Sequence, residues 1–256
     1  MFPIVTMHSG RSRAGSAAGG VHRLAPHARY PVVALWLALA ALGCRTKTVA
    51  ELPNNQSATD AEWAKRDAWQ RPVEVMDTLG IRAGSVVADV GAGGGYFTFQ
   101  LAARVGPHGK VYAQDIVDSH LEKIRDRAKQ EGLLQVETIL GSQSDPRLPP
   151  GALDAILLVM TYHEMENYDA MLDGMARGLK PAGRLAVIDP QGTPNQPRSS
   201  YAKEHKMSKE LVLQDAARHN LRIVREAKGF DSDENTHLFF LIFEKPTAGD
   251  ASRNGQ

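Results

Sequence analysis

The sequence predicts a doubly wound α/β domain, with a mostly parallel sheet that ends in a C-terminal antiparallel hairpin. Three observations predict it. From about residue 60, strand-like and helix-like segments alternate. Residues 155–160 are an unbroken apolar run, as expected of a central parallel strand covered on both faces. Gly91, Gly93, Gly94 and Gly95 crowd the carboxyl end of the first strand, where open α/β sheets bind ligands.

The first helical stretch covers 60–79 and is interrupted at Pro72, which lacks the N–H that a helix interior needs. Trp63 and Trp69 are its anchors. Residues 85–90 form a buried strand, and 95–105 a helix with Phe97, Leu101 and Val105 on one face. The second strand is 110–115. The helix 119–131 turns Leu121, Ile124 and Ala128 inward and its charges outward. The third strand is 136–140 and the fourth 155–160; the helix 168–179 follows, with Leu172, Met175 and Leu179 on its apolar face. Lys180-Pro181-Ala182-Gly183 is a turn, 184–189 the fifth strand and 190–207 a polar loop. A helix at 208–219 and strands at 221–226 and 238–244 complete a domain spanning 60–245. The polar tail 246–256 is expected to be disordered.

The chain of 256 residues, 43% hydrophobic, fits one domain with appendages and a proper core. Its net charge of +1 hides an asymmetry: residues 1–44 hold Arg11, Arg13, Arg23 and Arg29 and no acid, leaving about −3 for the rest. The body carries no basic excess, so a nucleic-acid partner is not expected. The single cysteine, Cys44, rules out an intrachain disulfide and a cysteine-rich metal site.

The head reads as an export segment. The apolar run 30–43 is 14 residues long, too short to span a bilayer comfortably but suited to a signal-peptide core. It ends Ala41-Leu42-Gly43-Cys44, which resembles a bacterial lipobox with Ala41 standing where Leu is usual. Residues 1–44 are therefore expected to be a signal segment, with Cys44 lipidated and 45–59 a tether. The expected location is a membrane-anchored or exported lipoprotein. The alternatives are a buried structural cysteine and a cytoplasmic protein.

The stretch Val-Val-Ala-Asp-Val-Gly-Ala-Gly-Gly-Gly-Tyr-Phe-Thr, residues 86–98, carries the function. Glycine lets the backbone turn sharply and approach a ligand with no Cβ in the way, and the helix that follows offers free N–H groups. The segment resembles motif I of class I S-adenosylmethionine-dependent methyltransferases, an acidic residue followed by G-x-G-x-G. The resemblance implies a seven-stranded Rossmann-like methyltransferase fold and S-adenosylmethionine as cofactor. It implies that the backbone of Gly91 and Gly93, with Ala92 and Gly95, lines the methionine part, and that Asp89 orients the ammonium group through water. Asp115, ending the second strand, can accept hydrogen bonds from both ribose hydroxyls. The resemblance implies that Ile116 packs on the adenine and that Val159 on the fourth strand joins the lining. After the third strand, Ser142 and Asp145 both stand where many family members bind the adenine amino group. The competing dinucleotide fingerprint, G-x-G-x-x-G, meets Tyr96 at its third glycine.

The resemblance covers about residues 60 to 245. Residues 140–149, 157–165 and 179–189 are similar to a bacterial group of predicted methyltransferases of undefined substrate, and more distantly to quinone C-methyltransferases.

Methyl transfer from a sulfonium is an in-line displacement with a good, neutral leaving group. The protein must align the acceptor and, where needed, remove its proton. Thr161, Tyr162, His163 and Glu164 leave the fourth strand beside the expected crevice. His163 is a candidate general base, with Glu164 or Tyr162 orienting it or the acceptor; a helix cap at His163 or a salt bridge at Glu164 is the structural alternative. His-Glu-Met-Glu-Asn fails the zinc-protease pattern at Asn167, and Thr161 and Tyr162 offer no acid to partner Asp189, so no metal is expected. Tyr201, His205 and Lys206 lie in a loop that either covers the acceptor or merely connects. His219 and His237 are expected at the surface. The chain lacks the thiols of arsenic-type methylation and the N/D-P-P-Y motif of amino-DNA methyltransferases, which leaves a small-molecule acceptor, methylated at oxygen or carbon. An exported enzyme would be parted from its cytosolic cofactor. The rivals are accordingly a non-catalytic lipoprotein binding module with the same fold and a nicotinamide oxidoreductase.

Overall fold

A computed structural model describes residues 55–233 and 236–251. The expected signal segment 1–44, its Cys44 and the first part of the tether lie outside the described residues. The helices are α1 (Asn55–Gln70), α2 (Pro72–Leu79), α3 (Tyr96–Val105), α4 (Asp118–Gln130), α5 (Tyr168–Gly178), α6 (Arg198–Glu204), α7 (Lys209–Arg218) and α8 (Ala248–Ala251), with a 3-10 turn at Tyr162–Glu164. The strands are β1 (Val86–Val90), β2 (Lys110–Asp115), β3 (Val136–Leu140), β4 (Leu153–Val159), β5 (Leu179–Pro190), β6 (Arg222–Asp233) and β7 (Thr236–Glu244).

They form one seven-stranded sheet in the order β3-β2-β1-β4-β5-β7-β6. The first five strands run parallel, and β7 inserts antiparallel between β5 and β6. The chain order reverses at β1/β4, the switch point at which such sheets bind ligands. β4 shows why its apolar run is unbroken. Successive side chains point to opposite faces, so Ala155 and Leu157 enter one core cluster while Ile156 and Leu158 enter the other. Both faces are dry, and each fully buried aliphatic side chain stabilises the fold by about 1.5–3 kcal/mol.

Several boundaries differ from expectation. The helix break at Pro72 is real: Arg71 takes a left-handed conformation and Pro72 opens α2. α1 begins at Asn55, inside the expected tether. The expected turn at 180–183 lies within β5. Leu153 pairs with Leu179 and Ala155 with Arg184, so the four residues between bulge out, with Ala182 at φ 61°. The polar loop 190–207 contains α6 and is tied at its base, where Gly192 N donates to Met207 O and Met207 N to Pro190 O, both at 2.8 Å. The expected disordered tail starts with α8. Among the described residues no helix is long and apolar enough to cross a membrane.

Candidate active site

A cavity of about 440 Å³ opens at the carboxyl ends of β1, β2 and β4, within the usual size range for small-molecule sites. Its floor is the loop from Val90 to Gly94. Gly91 N and Ala92 N both donate to Gln114 O at 2.9 Å, pinning the loop to β2. The three outer glycines do different work. Gly91 sits at φ 74°, and a Cβ there would stand 2.3 Å from Thr161 Cγ2. Gly93, at φ 52°, faces open space in which a Cβ would meet nothing within 4 Å. Gly95 does not line the cavity; its Cβ would press on Phe99 at 2.8 Å and on Ile124 of α4 at 2.9 Å. Gly95 therefore allows the close packing of α3 against α4.

Asp89 is buried at the cavity wall and accepts a hydrogen bond from Thr98 Oγ1 at 2.7 Å. Burial pushes its carboxyl up to about 6; the Thr98 bonds and the Arg66 charge oppose the shift, and Asp115 adds to it. Asp115 is fixed from three sides: Gly93 N donates to Oδ2 at 2.8 Å, Val117 N to Oδ1 at 2.9 Å, and His120 Nδ1 lies 3.3 Å from Oδ2. Ile116 shows half of its surface at the same wall, and Val159 lies there too. Of the two residues left open after β3, Ser142 lines the cavity. Asp145 shapes a turn, its carboxylate accepting from Arg147 N at 2.9 Å.

The four residues after β4 separate. A 3-10 turn places residues i and i+3 on one face. Glu164 N donates to Thr161 O at 3.1 Å, and Thr161 and Glu164 both line the cavity. Tyr162 and His163 point the other way. Tyr162 is fully buried, and its hydroxyl donates to Asp215 Oδ2 at 2.8 Å in the apolar core, so it touches no reacting atom and its expected catalytic role is withdrawn. His163 is also buried and does not line the cavity, contrary to its expected place as a base in contact with the acceptor. Its Nδ1 lies 2.7 Å from Asp189 Oδ1, and its backbone N donates to Asp189 Oδ2 at 3.0 Å. Burial alone would lower its pKa, but the bond to Asp189 and the charges of Asp189 and Glu164 hold it above the ordinary histidine value.

Tyr201 is a further correction. It is fully buried, and its hydroxyl donates to Thr193 O at 2.6 Å and accepts from Gln196 N at 3.2 Å. It clamps the loop and does not cover the acceptor. His219 is less exposed than expected: its Nδ1 lies 2.6 Å from Asp173 and its Nε2 2.9 Å from Asp169.

Sequence reasoning missed Arg66. It reaches the cavity from α1, with its guanidinium 4.2 Å from the centroid of the Tyr96 ring. No local pattern marks it, since only the docking of α1 brings it there. Thr161 lines the cavity as its place after β4 predicts, and Met165 and His120 line it without a sequence signal.

The profile of the methyltransferase domain family matches residues 81–238. A ubiquinone/menaquinone biosynthesis C-methyltransferase of Chromobacterium violaceum is 35% identical over 114 residues, covering 44% of this chain and 46% of that one. Nocamycin O-methyltransferase of Saccharothrix syringae is 33% identical over 127 residues, or 49% and 45% of the two chains. The chain thus spans about half the length of the curated relatives it matches. Among solved structures, a SAM-dependent methyltransferase from Aquifex aeolicus superposes with a TM-score of 0.59 at 25% identity, covering 72% of this chain and 97% of that one.

Proposed function

We infer the function from family and geometry together: the chain belongs to the methyltransferase domain family, and it transfers a methyl group from S-adenosylmethionine to a small-molecule acceptor. One observation carries the reading. Gly93 turns a backbone without a side chain toward a cavity flanked by Asp89 on β1 and Asp115 on β2. A buried carboxylate suits an ammonium group, and a fixed carboxylate at a strand end suits a pair of hydroxyls. The relatives bear names of carbon and oxygen methylation, and the acceptor here is methylated at one of those atoms.

When bound, S-adenosylmethionine supplies an electrophilic methyl on a sulfonium. The protein's part is to position. The Gly91–Gly94 backbone would hold the donor, with Ile116 and Ser142 at its base, and Thr161 and Glu164, which also line the cavity, would face the acceptor. Incubation of the protein with methyl-labelled cofactor and cell extract tests this. Label in a small-molecule fraction is expected; label confined to protein or nucleic acid would remove the small-molecule reading.

Anchoring through Cys44 belongs to the same proposal, supported by the apolar run that ends at the chain's one cysteine. Fatty-acid labelling in cells should mark the wild type and not Cys44→Ala; an unlabelled wild type would refute it.

A further inference from the structure

Behind Glu164 on the cavity wall stands a second constellation. His163, Glu164 and His205 each bring a donor atom to a cluster in which all three atoms lie within 4.8 Å of one another. His163 Nε2 is 3.7 Å from Glu164 Oε1, which is 4.0 Å from His205 Nδ1. We propose that these residues bind a divalent transition metal ion of the zinc class, with coordination positions left open at the cavity rim.

The argument begins with His163. Its Nδ1 is engaged by the buried Asp189. A carboxylate in that place fixes the tautomer, so Nε2 presents a lone pair, and it raises the basicity of the ring. Metal-bound histidines almost always have such a partner. Glu164 and His205 are exposed and can close in by rotamer changes. Donors around a tetrahedral zinc stand about 3.3 Å apart, so one ligand is preset and the other two need to move by about an ångström or less on average.

His205 is placed by its backbone. It ends α6 in the left-handed conformation, at φ 51°, a common way for a helix to finish that fixes the direction in which the chain leaves. The next residue, Lys206, donates its N–H to Tyr201 O at 3.0 Å, and Tyr201 is the buried clamp of the loop. The result sets the two imidazoles edge to face with centroids 5.6 Å apart. Two imidazoles and one carboxylate suit zinc, cobalt or iron(II) and leave positions free. Glu164 belongs both to this cluster and to the cavity wall. On the methyltransferase reading, the open positions would therefore take an oxygen donor of the acceptor and hold it as an anion facing the methyl group.

The site itself can be tested without cofactor, so its failure is separable from failure of the methyltransferase reading. The chelator-treated full chain is titrated with Co(II), and visible absorption is followed. Zn(II) is then added in competition, and bound metal is counted by mass spectrometry. One equivalent is expected, with ligand-field bands abolished by zinc. His205→Ala and Glu164→Gln alter exposed side chains, and each should weaken Co(II) binding about tenfold or more with the circular dichroism spectrum unchanged. Absence of binding at about 1 mM ion, or equal affinity in wild type and both variants, would overturn the proposal.

Discussion

The buried carboxylate of Asp89 makes cofactor binding depend on pH in a calculable way. In the free protein its carboxyl sits at about 6 because burial disfavours the charged form. If the ionised form recognises the cofactor's ammonium, affinity is constant well above pH 6 and falls about tenfold per unit below it. At pH 5 about one molecule in eleven is ionised, so the apparent Kd should rise about tenfold from its value at pH 7.5. Stability runs the other way. The folded pKa exceeds the ordinary value of 3.8, so the folded chain holds this proton more tightly than the unfolded one. The contribution of this group to stability therefore falls, by about 3 kcal/mol in all, as pH rises from about 4 through about 6. Calorimetric titration with S-adenosylmethionine at half-unit steps from about pH 4.5 to 8 measures the binding limb. Thr98→Val removes the hydroxyl that donates to Asp89 and should move the limb to higher pH; Asp89→Asn should erase it. An affinity that is flat across the range, or that weakens as pH rises through 6, would refute the reasoning.

Gly91→Ala places a methyl 2.3 Å from Thr161 Cγ2 at a positive φ. It should cost at least about 1–2 kcal/mol from the backbone alone and lower cofactor affinity; thermal melts and titration read both, and adding Thr161→Ala should recover part of the stability. Tyr162→Phe takes away the hydroxyl donor to Asp215. It should destabilise the fold by about 1–3 kcal/mol in denaturant unfolding while leaving cofactor affinity unchanged, and loss of cofactor binding in this variant would return Tyr162 to the cavity.

What the sequence made legible is what local chemistry decides. The 155–160 run is legible as a central strand because a strand covered on both faces keeps consecutive apolar residues dry, as 155–158 are; Val159 and Met160 emerge at the cavity. The glycine loop was legible for the same reason, since Gly91 and Gly93 hold conformations that side chains resist. Direction was not legible. Tyr162, His163 and Glu164 stand together in sequence as catalytic candidates, but a 3-10 turn sends Glu164, with Thr161, to the cavity and Tyr162 and His163 away from it. The hidden partner of His163 was likewise out of reach. Helical spacing places Asn167, not a second histidine, four residues after His163; the structure brings His205 from the end of α6 instead. Tyr201 lies in a polar stretch that reads equally as a lid or as a mobile loop, and only the closed base of the loop reveals a core residue. The 180–183 bulge was a turn in sequence and a turn in fact, but the strand continues on both sides of it.

The central claim is that the bend at Gly93 receives S-adenosylmethionine, and a calorimetric comparison of wild type with Gly93→Asp tests it most directly. Because a Cβ at Gly93 meets open space, the substituted side chain enters the cavity without a core clash; the positive φ of 52° adds a backbone strain of about 1–2 kcal/mol, in a conformation that Asp visits more readily than most residues. The account expects saturable binding by the wild type and none by the folded variant, whereas wild-type binding in both, or no binding by either at millimolar cofactor, would contradict it.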